Sequence, residues 1–205
     1  MQTGKIRIWN MALGYIGTRN VASEQEKTPE AQQCALYWDS ARRQALRDYP
    51  WNWAQCRATL AQKPLPAEWQ QDFSRAYALP NRCLKLHRVY PGQGICAVFP
   101  VRRQEPFRIV FDHEGGEPVV LTNAHGAVAE YTADVEEPAR WDDLFVHLMA
   151  RRLACLICIP LFKNNANKVR ELEQLYRAAI PPAYETSASE QVDRAEEDSW
   201  LLSRG

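Results

Sequence analysis

The apolar residues of this chain repeat with helical spacing near both ends of the sequence and with strand spacing in its middle. Helical periodicity runs through four segments, at residues 5–16, 31–46, 141–157 and 169–179. In the middle region Phe107, Ile109 and Phe111 instead alternate with Arg108 and Val110, which is typical of a strand. This order predicts an α+β fold: an antiparallel helical bundle with an inserted antiparallel β-meander subdomain of about five short strands, followed by an extended C-terminal arm.

Capping residues and proline set the ends of the predicted helices in the first part of the chain. Thr28 is a candidate N-cap, and Pro29 suits the first position of a helix. Pro50 ends this helix, because the residue before a proline is pushed out of helical geometry. A short helical segment is expected to follow, from Trp51 to about Ala61.

The same signals divide the chain into four regions. Pro160 is expected to end the third long helix, and Pro181 with Pro182 the fourth. The predicted regions are a first helical half at residues 1–70, an inserted β subdomain at 71–137, a second helical half at 138–182, and the C-terminal arm at 183–205.

Composition narrows the classes of function. The 25 basic and 25 acidic side chains cancel, whereas a protein that grips nucleic acid through its phosphates usually carries a basic surplus. No apolar run is expected to be long enough to span a membrane, and the start of the chain lacks a signal-peptide core, so an origin in the cytoplasm is expected. The six cysteines show no framework spacing and are expected to be reduced and mostly buried.

Motifs that carry chemistry are weak in this sequence. Cys155 and Cys158 have the C-x-x-C spacing, but no second ligand pair follows, and core packing is the favoured interpretation. Asp112, His113 and Glu114 lie beside two glycines, where polar turn residues are the default. The sequence therefore predicts no catalytic residue, no metal site and no cofactor.

Two surfaces stand out as candidates for interaction. The arm is rich in Ser, Glu, Asp and Ala, yet it contains Trp200, Leu201 and Leu202, which are costly to leave in water. Such an arm is typical of a segment that docks on a neighbouring molecule. A basic strand surface is the second candidate, although a solvated strand face is its simpler interpretation. The residues of this basic strand surface are Lys85, Arg88, Arg102, Arg103 and Arg108.

Several short motifs, taken in order, resemble the head-to-tail adaptors of short-tailed bacteriophages, which include the tail tubular protein A family. The resemblance spans nearly the whole chain. It is carried by IWNMALGYIG at residues 8–17, the long helix with its aromatic and arginine residues, DYPWNWA at residues 48–54, YALP at residues 77–80, the helix at residues 144–156 and the Ser/Glu/Asp-rich tail.

The resemblance implies a virion protein, assembled in the host cytoplasm, that forms a ring of about twelve copies beneath the portal protein. The helices would form the ring wall around passing genomic DNA, without reading its sequence and without a membrane. The β insertion would face the tail nozzle protein or tail fibres, through the basic strand surface defined above. The arm would dock on the portal, and its candidate residues are Tyr184, Trp200, Leu201, Leu202 and Arg204.

Two other interpretations stay open from the residues alone. One is an intracellular α+β ligand-binding or enzymatic domain whose site has no recognisable motif. The other is a nucleic-acid module that uses the basic strand surface.

Overall fold

The computed structural model describes residues 4–92, 104–113, 115–162 and 166–189, with side chains as far as residue 181. The described helices are α1 (Lys5–Ile16), α2 (Pro29–Asp48), α3 (Asp143–Phe162) and α4 (Ala166–Ser189). The described strands are β1 (Gln55–Thr59), β2 (Gln62–Lys63), β3 (Arg75–Ala78), β4 (Cys83–Tyr90), β5 (Phe107–Asp112), β6 (Glu117–Thr122) and β7 (Val128–Ala133). The α+β class is confirmed: the four helices pack together, and the strands are inserted between α2 and α3.

The first two helices begin and end where the sequence predicts. The hydroxyl oxygen of Thr28 accepts a hydrogen bond from the amide of Ala31 at 3.4 Å, so Thr28 is the N-cap of α2. Gly17 closes α1 in the left-handed conformation, with φ of 80°, and its N–H donates to the carbonyl of Leu13 at 2.9 Å.

Tryptophans join the four helices into one core. Trp9 of α1, Trp38 of α2 and Trp141 before α3 are all buried. The Trp38 and Trp141 rings stack with centroids 5.7 Å apart, and Trp9 meets Trp38 edge-on at 6.4 Å. Leu172 and Tyr176 attach α4 to the same core. These three tryptophans are therefore anchors of the helical core.

The strands form two antiparallel sheets instead of a single meander. The three-stranded sheet has the order β1-β7-β4, and the four-stranded sheet has the order β2-β3-β6-β5. An apolar layer lies between the sheets, where Leu86, Val89 and Tyr131 of the first pack with Tyr77 and Val120 of the second. The central strand β7 runs directly into the connection that leads to α3.

The prediction of a helix from Trp51 to about Ala61 is wrong. Only Asn52–Ala54 form a 3₁₀ turn, and β1 begins at Gln55. Pairing with β7 determines the strand conformation of this segment, because tertiary pairing overrides local periodicity in a short stretch. Strands β1 and β2 therefore lie before residue 71, within the region predicted to be helical.

The proline positions do not end the last two helices. Helix α3 continues through Pro160 to Phe162, and α4 continues through Pro181 and Pro182 to Ser189. Proline keeps a helical φ, so the chain follows the helix while losing the N–H hydrogen bonds of these positions. The beginning of the predicted extended arm is therefore helical as far as Ser189.

Helix α3 is long and apolar enough to cross a membrane by length and composition alone, contrary to the expectation from the sequence. Much of it is buried inside the protein, including Phe145, Met149 and Leu153. It contacts α1, α2 and α4, which is how the central helix of a bundle behaves.

Candidate functional site

A buried ion pair fastens the three-stranded sheet to the helical bundle. Arg42 of α2 and Asp134, just after β7, are 3% and 6% exposed. Nη2 of Arg42 donates to Oδ2 of Asp134 at 3.1 Å, and its Nε lies 3.0 Å from Oδ1 in a geometry too bent for a hydrogen bond. Asp39 also pairs with Arg42, and the half-exposed Arg43 shares Asp134. This pair has a structural task, because both partners are inaccessible to a ligand.

A second polar cluster joins α2, α3 and α4 where α2 ends. The hydroxyl of Tyr176 donates to the carboxylate of Asp48, and burial together with this hydrogen bond raises the pKa of Tyr176. Arg152 lies over the Tyr176 ring, 5.2 Å from its centroid, and donates to Gln44 at 2.7 Å and Glu173 at 3.2 Å. The tyrosine stays protonated at neutral pH and positions α4 against the end of α2.

The outer side of the three-stranded sheet is a charged surface built around one buried carboxylate. Glu130 lies on the central strand, 7% exposed, and pairs in register with Arg57 of β1 and Arg88 of β4. Nη2 of Arg57 lies 2.7 Å from the Glu130 carboxylate, and Nη1 of Arg88 lies 3.9 Å from it. Lys85 lies on the same side of the sheet, opposite Thr132, which is two residues after Glu130 on β7.

We call the surface formed by Arg57, Lys85, Arg88 and Glu130 the cationic sheet face. The two arginines pair with a single carboxylate, and their side chains are 56% and 52% exposed, while Lys85 adds a third positive charge on the same side. The Arg57 guanidinium also lies 5.9 Å from the centroid of the buried Tyr90 ring. Such a surface is suited to bind an anionic group, and nothing in it resembles a nucleophile with its base.

His87 lies at the edge of this face, where the register of β4 shifts. Its Nε2 is 2.7 Å from the hydroxyl of Thr132. Burial lowers the pKa of His87, and Lys85 and Arg88 lower it further, while Glu130 opposes them. The neutral imidazole is therefore the favoured form next to the two cations.

The predicted basic surface is divided between the two sheets. Lys85 and Arg88 lie together on β4, whereas Arg108 lies on β5 of the four-stranded sheet with its guanidinium 4.6 Å from the Trp69 ring centroid. Arg102 and Arg103 lie outside the described residues. Contact of this surface with a tail protein stays a prediction.

The predicted docking residues of the arm lie mostly beyond the described part of the chain. Tyr184 falls within α4, in the stretch whose side chains are not described. The other four residues lie outside the described residues: Trp200, Leu201, Leu202 and Arg204.

In the described part of the chain, the residues of the weak chemical motifs do not come together in one site. Cys155 and Cys158 are buried in α3, and burial raises the pKa of both thiols, that of Cys155 to about 11. Core packing is thus confirmed for this pair. His113 packs edge-on against Phe111, and no group of three or more His, Cys, Asp or Glu side chains is placed to hold a metal ion among residues 4–92, 104–113, 115–162 and 166–189.

Sequence reasoning missed Arg57 and Glu130, the centre of the charged face. The two residues are 73 positions apart in the chain, so only the register of β1 on β7 brings them together. Arg42 of α2 is buried although it is charged, because Asp134 compensates its charge.

No protein-family model and no curated protein matches this chain.

Proposed function

We propose that this chain is a structural adaptor of the virion neck, which joins a phage portal protein to the tail as a homo-oligomeric ring. The proposal starts from the order of short motifs along the sequence. The α+β architecture supports it, since a helical bundle with an inserted sheet region offers separate surfaces for sister copies and for neighbouring proteins.

The single observation that carries the proposal furthest is the way α4 leads into the C-terminal segment. The last described side chains of α4 that pack on the helical core are Ala179 and Ile180, and the helix runs on to Ser189. The sequence after it contains Trp200, Leu201 and Leu202. A helix that leads into a segment with an apolar anchor is suited to dock on a partner.

Exposed apolar side chains on the helices add a second, weaker support. Leu36 of α2, Ile159 of α3 and Leu175 of α4 are 68%, 55% and 44% exposed. Single exposed apolar residues are common on any protein surface. Their distribution over three helices nevertheless gives a ring several surfaces that neighbouring copies can cover.

The proposal is tested by mixing the purified full chain with its portal protein and measuring particle size by sedimentation. We expect a small particle for the chain alone and a ring-sized complex with the portal. Replacing Trp200, Leu201 and Leu202 with serine should abolish the complex. Phe111→Ser, which removes an exposed apolar side chain from β5, is the matched control and should leave it unchanged.

Two outcomes would overturn the adaptor proposal. One is a chain that never binds the portal. The other is a chain whose melting temperature rises with a small molecule or a short oligonucleotide, since only a ligand that binds the folded state stabilises it. The oligonucleotide result would favour the nucleic-acid module, with Arg57 and Arg88 beside Tyr90 as the first residues to test.

A further inference from the structure

We propose that the cationic sheet face is a docking surface for an acidic peptide, and that its occupant in the isolated chain is the chain's own segment at residues 190–198. This interaction is independent of the adaptor proposal, because it takes place within one molecule and needs no portal.

Charge is the first argument. The cationic sheet face carries three cations and one carboxylate, so its net charge is positive. The segment at residues 190–198 contains five carboxylates and one arginine. The chain as a whole is neutral, so the cationic sheet face and this segment are local regions of opposite net charge.

The path of α4 is the second argument. Helix α3 begins shortly after β7, and α4 packs against α3 after a short connection. At Tyr176, α4 is hydrogen-bonded to Asp48 at the end of α2. Arg47, the residue before Asp48, donates to the carbonyl of Leu84 at 2.9 Å, and Lys85 donates to the carbonyl of Arg47 at 3.2 Å. Helix α4 thus passes the corner of the molecule where β4 begins.

Distance is the third argument. From Tyr176 to Ser189 the helix rises about 20 Å, at about 1.5 Å per residue. Residues 196–198 then follow within about 30 Å of extended chain. Lys85 and Arg88 are about 10 Å apart along β4. The extended length of the acidic segment therefore exceeds the rise of α4 beyond Tyr176, which allows the segment to return toward the cationic sheet face of its own chain.

Zero-length coupling with a carbodiimide tests the contact on the full chain. The reagent converts a carboxylate into an O-acylisourea, and a lysine amine within contact distance attacks the activated carbonyl and displaces the urea to form an amide. Lys85 is the lysine of the cationic sheet face, so we expect an amide between Lys85 and a carboxylate of residues 190–198, located by mass spectrometry. Two exposed pairs serve as internal references in the same sample, Lys63 with Glu117 at 3.2 Å and Lys5 with Glu24 at 2.9 Å.

Variants separate electrostatic docking from chance collision. In Arg57→Gln with Arg88→Gln, Lys85 and all the tail carboxylates remain, and we expect the coupling yield to fall about tenfold, as for the loss of a few exposed ion pairs. Arg75→Gln with Arg108→Gln, on the four-stranded sheet, is the matched control and should leave the yield unchanged. If the first pair of substitutions unfolds both sheets through the apolar layer that joins them, the reference coupling of Lys63 on the four-stranded sheet is lost as well. Addition of salt to the unmodified chain then supplies the test, with a similar fall expected.

The proposal is overturned if the reference pairs couple and Lys85 does not couple to residues 190–198. It is also overturned if that product appears only between two chains and disappears on dilution, because the occupant is then a neighbouring copy. A yield that is insensitive both to salt and to the arginine substitutions would likewise contradict charge-driven docking.

Discussion

Aromatic rings fill the middle of the helical bundle, whereas the outer side of the three-stranded sheet is built around a buried carboxylate. In the bundle, the ring of Phe145 lies 5.2 Å from Trp51, 4.9 Å from Trp53 and 5.1 Å from Trp141, measured between centroids. In the sheet, Glu130 lies between two half-exposed arginines.

The difference indicates that the two regions respond to different perturbations. Packing of uncharged rings depends little on salt or pH and strongly on volume. Ion pairs and a histidine at a sheet surface depend on salt and pH, and each contributes a smaller free energy. The bundle is therefore the stable framework, and the sheet face is the part of the molecule that can respond to its surroundings.

Removal of an aromatic ring from the bundle is expected to give the largest loss of stability. Phe145→Ala leaves a cavity among three tryptophans, and a buried Phe→Ala change typically costs about 3–5 kcal/mol. Denaturant unfolding followed by tryptophan fluorescence measures this loss. Phe111→Ala, at a position that is 55% exposed on β5, is the control and should cost less than about 1 kcal/mol. Equal losses would contradict the contrast between the two regions.

Loss of the buried ion pair between α2 and the end of β7 is expected to give the second-largest loss of stability. Arg42→Ala leaves Asp134 buried with only the half-exposed Arg43 to compensate it, and such a change is expected to cost about 3 kcal/mol. Arg43→Ala removes the exposed partner of the same carboxylate and should cost less than about 1 kcal/mol. Hydrogen exchange at the end of β7 should rise in the first variant alone. If the two variants are equally unstable, Asp134 is not held mainly by Arg42.

Helices could be predicted from this sequence because their signals are local. Thr28, Pro29 and Gly17 are cap residues whose effect depends on neighbours a few positions away. The same local reasoning failed at Pro160 and Pro181, where the helices continue past a residue that usually ends them.

Strands and the charged face could be predicted only in part, because their partners are distant in the chain. The period-two pattern located β5. Strand β1 has no comparable pattern and is defined by its register on β7. That register, with the pairing of β4 on the other side of β7, places Arg57 and Arg88 around Glu130.

The pH response of the sheet is the smallest effect expected, and its sign follows from His87. Burial and the neighbouring Lys85 and Arg88 lower the pKa of His87 below its ordinary value of 6.5, so the unfolded chain takes up this proton at a higher pH than the folded chain. Between these two pKa values the unfolded state binds more protons, and the stability that His87 contributes is lost as the pH falls below about 6.5.

We therefore expect the free energy of unfolding to decrease from about pH 7.5 to about pH 5.5, and to decrease less in His87→Gln. Glutamine can still meet the Thr132 hydroxyl, so the comparison isolates the charge. His125→Gln, at an exposed turn, is the control and should keep the pH dependence of the unmodified chain. If His87→Gln and His125→Gln behave alike, the pH response arises elsewhere, and the cationic sheet face loses its role as the region that responds to its surroundings.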